Sequence, residues 1–283
     1  MFKKLCMAAI GLGVSLTATS SFALTVDTTA TDEQLVETIL GSGITFSNVV
    51  FTGAAGSVGT FADGATSIGI DSGILLTSGS AAEAVGPNDT SSQTTSNGLG
   101  GDNHLNSLIP GYTTYDATTL SFDFTTDTGD LYFNYVFASE EYNEYVGTAF
   151  NDVFGFFVDG VNIALLPGTT TPVSINNVNL GSNPGSYINN DPAVLDTQYD
   201  GLTTVLTAVV TGLTAGVHTI KLAIADAGDT ILDSGVFIQA GSFSSTPTKV
   251  PELDARSGAS ALALLLFAGL LLASSRRREQ TFA

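Results

Sequence analysis

Residues 119–124 read Thr-Leu-Ser-Phe-Asp-Phe, polar and apolar in alternation. Successive side chains of an extended strand point to opposite faces, so this period of two predicts a strand with one face in a core. Two denser aromatic runs follow, at 130–137 and 152–158, and both predict strands. Asp159-Gly160 then predicts a tight hairpin into a strand at 162–166. Further strands are expected at 44–52, at 67–70 and 73–77 around a turn at Asp71-Ser72-Gly73, and at 203–210, 218–225 and 236–242. Helical periodicity occurs at 31–40, where Leu35, Val36, Ile39 and Leu40 share a face, Thr31 or Asp32 caps the start and Gly41 stops the end. Residues 80–106 are polar and rich in Gly, Ser, Thr and Asn. A loop of that length is uncommon in a compact domain and marks a functional or mobile segment. Short strands at short spacing predict an all-β fold: a β-sandwich or jelly roll forming a single ectodomain with one short N-terminal helix.

The two ends of the chain have another character. Lys3 and Lys4, an apolar stretch over 5–16 and Ser21-Phe22-Ala23 form the basic, apolar and small-residue series of a secretory signal peptide, with cleavage expected after Ala23. The alternative is a structural N-terminal helix. Cys6 is the one cysteine and falls inside this segment, so a processed chain has no disulfide, thiolate metal site or cysteine nucleophile. At the other end, 249–283, Val250-Pro251-Glu252-Leu253-Asp254 precedes an apolar run over 257–275 and then Arg276, Arg277 and Arg278. The run is near the lower limit of the roughly 17–25 residues that span a bilayer as a helix. Trailing arginines stay cytoplasmic, which puts the rest of the chain outside. This tripartite tail resembles the PEP-CTERM class of sorting signals, with Leu253 where that class has its second proline. The resemblance implies an exosortase-type membrane protease as partner. Val250, Pro251, Glu252 and Leu253 would be its sorting motif, and the protein would be anchored first in the inner membrane and then passed to the cell surface, outer envelope or exterior. A plain C-terminal membrane anchor is the alternative.

Charge sharpens the picture of the intervening 24–248. Of 27 acids only Glu252, Asp254 and Glu279 lie outside it, and of eight bases only Lys221 lies inside, a formal charge of about −23. Such a segment repels nucleic acid and anionic lipid, and suits divalent cations or a saline exterior. With so few bases the salt-bridged helix surfaces common in cytosolic proteins are out of reach, which again favours β structure.

The densest motifs are Phe137-Ala138-Ser139-Glu140-Glu141-Tyr142, the block 150–160 containing Asn151-Asp152, the block 166–176, and 223–237 with Asp226, Asp229 and Asp233. With Gly73-Ile74-Leu75-Leu76-Thr77-Ser78-Gly79, they make residues 35–243 similar to the choice-of-anchor L domain, a family of bacterial surface domains with varied anchoring tails. The resemblance implies a surface architecture and carries no activity.

The acids themselves point to chemistry. Glu140, Glu141, Asp152, Asp226, Asp229 and Asp233 have no base near them in sequence, and gathered together they would repel one another. A hard cation removes that repulsion, and Ca2+ takes six to eight oxygen ligands. The spacing is not that of an EF-hand, and the competing reading is solvated loop acids and turn-capping aspartates. A carboxylate pair could also hydrolyse glycosides, but tryptophan is absent and no sugar platform is evident. His104 and His218 have no zinc-type spacing, and no phosphate loop is present. Tyr142 and Tyr145 are candidate exposed contacts for a sugar. The function expected is a non-catalytic, Ca2+-stabilised structural or adhesive protein of the surface or extracellular matrix, with extracellular polysaccharide as a partner. The alternatives are a carbohydrate-binding module and an extracellular hydrolase.

Overall fold

The structure, a computed structural model, describes residues 23–249. The signal segment before Ala23, the sorting motif, the apolar run over 257–275 and Arg276–Arg278 lie outside the described residues, and Ala23 itself is exposed. Among the described residues no helix is long and apolar enough to cross a membrane.

The all-β expectation holds: among the described residues thirteen strands form two antiparallel sheets, with few helices. The larger sheet contains β1 (Thr25–Asp27), β3 (Val58–Ala62), β4 (Gly73–Thr77), β6 (Leu131–Ser139), β9 (Tyr187–Asn189), β10 (Gly201–Thr203), β11 (Leu206–Val210) and β13 (Ser234–Gln239). Its strand order is β1-β3-β4-β13-β6-β10-β9, and β11 pairs with the first half of β6. The smaller sheet runs β2 (Ile44–Thr52), β5 (Thr114–Thr126), β12 (His218–Ala227), β7 (Val153–Val158) and β8 (Val161–Asn162). Helix α1 (Asp32–Ile39) is capped by Thr31, one of the two expected caps, in a capping box with Gln34, and buries Leu35, Val36 and Ile39 against the core.

Strand parity decides what each face carries. Leu131, Phe133, Tyr135 and Phe137 of β6 meet Phe154 and Phe156 of β7 and Ile220, Leu222 and Ile224 of β12 between the sheets. Phe133 lies 4.8 Å from Phe156 and Tyr135 5.1 Å from Phe154, edge to face. The opposite parity of β6 and β13, with Val136, Ala138 and Phe237, is covered on the outer face by Ile68, Ile70, Ala81, Tyr199 and Leu202. Helix α2 (Asn103–Leu108) puts Leu105 over Val153, Ala223 and Ala225 on the outside of the smaller sheet.

Four local expectations need correction. Residues 67–70 form a turn, not a strand, because the Ile68 N–H bonds back to Gly64 O at 2.7 Å. The strand expected at 162–166 stops at Asn162, whose side-chain oxygen accepts from Phe156 N and Ala164 N and so replaces the ladder. The run 203–210 is divided at 204–205 into β10 and β11. The polar stretch 80–106 includes α2, whose start Asp102 caps by accepting from His104 N and Leu105 N.

Candidate functional site

At one end of the sandwich the apolar rows of the core run on into acids. The inward row of β12, Ile220-Leu222-Ile224, continues to Asp226, and the inward row of β7 begins at Asp152 before Phe154 and Phe156. The β6 row passes through Ser139 to Glu141. All three acids are at most 1 % exposed.

Asp152 ties the sheets together. Its Oδ1 accepts from Ala227 N at 2.8 Å and its Oδ2 from Ser234 Oγ at 2.7 Å. Across from it on the larger sheet lie Ser78, Ser234 and Ser139, all buried, with Ser139 Oγ accepting from Glu141 N. This floor is polar yet uncharged. Burial therefore pushes Asp152 up to about 7 in spite of its two donors. Burial and then the Asp152 charge hold Asp226 well above the carboxylate range, and neither Asp226 oxygen has a well-formed hydrogen bond. Glu141 is pushed up to about 10 by burial, then by Asp152 and Asp229, and its Oε2 has no partner. Asp229 is half-buried at the rim, where its Oδ1 accepts from Ile231 N, and burial raises it.

Glu140 and Asp233 have the opposite parity. Ser139 pairs with Ser234 on one side and Gly201 on the other, so the next rung aligns Asp233, Glu140 and Asp200 on the outer face. Glu140 N donates to Asp233 O at 3.1 Å, and Asn190 N donates to Asp200 O at 2.8 Å, continuing the rung. Burial, then Asp200, pushes Glu140 up to about 9 against a weak bond from the Gln93 backbone, and neither of its carboxyl oxygens has a well-formed hydrogen bond. Burial likewise lifts Asp233 to about 7 and Asp200 to about 6. Gly79 completes the rung: a Cβ there would lie 1.7 Å from Asp233 Oδ2, so the glycine leaves the space that the carboxylate occupies.

The polar segment 85–102 is laid over this end as a strap. Thr95 N donates to Asp233 Oδ2 at 2.8 Å, Asn88 Nδ2 to Asp200 Oδ1 at 2.6 Å, and Asn97 N to Asp116 Oδ2 at 2.8 Å. Among the described residues, the protein cations that form ion pairs do so elsewhere. Lys221 pairs with Asp102, and His218 pairs with Asp159 at 2.6 Å near the far end of β12. Lys221 is five residues from Asp226, roughly 16 Å along an extended strand.

The six acids singled out from sequence thus reach one end of the fold, on the two sides of the larger sheet, with Asp152 and Asp226 carried by the smaller one. Asp200 and Asp116 were missed. Asp200 lies in a stretch with no strand pattern of its own, and Asp116 precedes the alternating run in β5. The expected exposure of Tyr142 is corrected: it is fully buried, packed over Gly201 and 4.8 Å from Tyr187, with its hydroxyl donating to Val178 O at 2.7 Å. Tyr145 is 37 % exposed and edge-on to Phe150. Among the described residues, no group of three His, Cys, Asp or Glu side chains is placed so that it could hold a metal ion. The donor set is all oxygen, which suits a hard cation.

Compared with known proteins, residues 25–244 match the choice-of-anchor L domain. No curated protein and no solved structure matches the chain.

Proposed function

The chain belongs to the choice-of-anchor L domain family, which makes it an exported, surface-anchored extracellular protein, and on that premise we propose that it is a non-catalytic structural or adhesive component of the cell surface or matrix, stiffened by Ca2+ at its acid-lined end. The observation that carries this reading is the set of buried carboxyl oxygens without partners: both of Glu140, both of Asp226, Glu141 Oε2 and Asp200 Oδ2. A buried polar group without a partner costs about 1–3 kcal/mol, more if charged. Among the described residues these acids have no cation nearby, so a divalent ion relieves both the missing bonds and the repulsion. Burial also speaks against a hydrolase, since these acids are closed to a substrate. Extracellular polysaccharide is the partner proposed, with Tyr145 as a surface contact and Tyr142 set aside. The proposed tail function is sorting at Val250–Leu253 by an exosortase-type protease after anchoring in the inner membrane.

The test is thermal unfolding of the exported protein in EDTA, in millimolar Ca2+ and in millimolar Mg2+. An ion at a hundredfold excess over Kd stabilises by about 2.7 kcal/mol. For a domain of this size that corresponds to roughly 5–10 °C. A Ca2+-selective rise of that order supports the reading. Equal rises with both ions mean surface screening, and no rise removes the cation.

A further inference from the structure

Pleat geometry divides the acid end more sharply than charge alone. Adjacent residues of an extended chain point to opposite faces, and Glu140 and Glu141, the two residues just past the end of β6, continue its alternation, which turns them towards different groups of acids. The oxygens without partners divide the same way. Glu141 Oε2 and both Asp226 oxygens lie between the sheets, and both Glu140 oxygens and Asp200 Oδ2 lie on the outer side. We propose that the outer rung Asp233–Glu140–Asp200, just past the ends of three neighbouring strands and beneath the 85–102 strap, is a second divalent-cation centre, separate from the one at Glu141, Asp152 and Asp226 between the sheets.

This rests on the reading that the acid end takes Ca2+, and adds a count, a location and a consequence. Cross-strand neighbours on one face have Cβ atoms about 4.5–5.5 Å apart, and like charges directly opposite are destabilising. One step beyond the paired ends of β13–β6 and of β6–β10, the rung repeats that juxtaposition twice. Glu140 is 2 % exposed and Asp200 1 %, so water does not screen them. Asp233 already bonds the strap through both oxygens, to Thr95 N and more weakly to Thr94 Oγ1, and Asp200 bonds it through Asn88. An ion held by the rung therefore fixes the carboxylates that hold the strap. The strap has few apolar anchors of its own, and its order follows occupation of the outer centre.

Native mass spectrometry of the exported protein titrated with Ca2+ reads the count directly, and amide hydrogen exchange reads the strap. The expected result is two ions in the wild type, one in Asp200→Asn and in Glu140→Gln, and one in Asp226→Asn. Ca2+-dependent protection of the Thr95 and Asn97 amides is lost in the first two variants and kept in the third. Having two outer variants allows for one failing to fold. A wild type with a single ion, removed by Asp226→Asn and untouched by Asp200→Asn, overturns the second centre and leaves the Ca2+ reading intact. Two ions that both survive Asp200→Asn and Glu140→Gln overturn it as well. No bound ion overturns both.

Discussion

Glu140→Gln should stabilise the protein in EDTA and weaken its response to Ca2+. Glu140 is pushed from 4.5 up to about 9 by burial and then by Asp200. A carboxyl whose folded pKa is raised contributes stability that is fully present below 4.5 and is lost as pH rises towards 9, because the folded state holds a proton that the unfolded chain releases. Each pH unit inside that window costs about 1.4 kcal/mol. At pH 7.5 the sum is about 4 kcal/mol, and halving it for relaxation and water entry leaves about 2 kcal/mol. Gln keeps the shape and has no proton to hold. In EDTA at pH 7.5 the variant should melt about 4–8 °C above wild type, and near pH 4.5 the two should coincide. Millimolar Ca2+ should raise the wild type more than the variant, because the amide is the poorer ligand. Circular dichroism melts from pH 4.5 to 8, with and without Ca2+, read all of this. A variant with the wild-type pH slope in EDTA, or less stable than wild type at pH 7.5, refutes the reasoning.

Gly79→Ala should destabilise by about 1–3 kcal/mol through overpacking, since its Cβ would displace Asp233 Oδ2; the loss should come with a smaller Ca2+ response in the same melts. Phe156→Ala removes a fully buried ring packed on Phe133, Tyr135 and Phe154, and chemical denaturation should show a loss of about 3–5 kcal/mol with Ca2+ binding kept once folded. Mass spectrometry of the surface-released protein should find Arg276–Arg278 removed; their retention would replace sorting by a simple anchor.

The core strands were legible because period two is a direct image of the pleat: 119–124 lies within β5, and 130–137 and 152–158 supply most of β6 and β7. Short strands were not. β1, β9 and β10 have three residues each, too few for a period, and they are defined by their partners. The same limit hid Asp200, whose role comes from its register beside Glu140 and not from any local pattern. Asp152 and Asp226 were visible as acids, and their parity with the apolar rows was there to be read: Asp226 occupies a core position of β12, and Asp152 stands just before β7 in step with Phe154 and Phe156. Tyr142 shows the opposite case. Its neighbours Glu141 and Asn143 suggest a polar loop, but Gly201 on a distant strand opens the space that buries it.

The most direct test of a Ca2+-stiffened surface domain is a crystal structure of the exported protein grown at pH 7.5 with Ca2+, with anomalous diffraction recorded to mark the ions. The account predicts calcium peaks at the acid end, one among Glu141, Asp152 and Asp226 and one on the Asp233–Glu140–Asp200 rung, with carboxylate oxygens about 2.3–2.6 Å away. An acid end without any calcium peak, its carboxyls instead hydrogen-bonded to one another as shared-proton pairs, would contradict it.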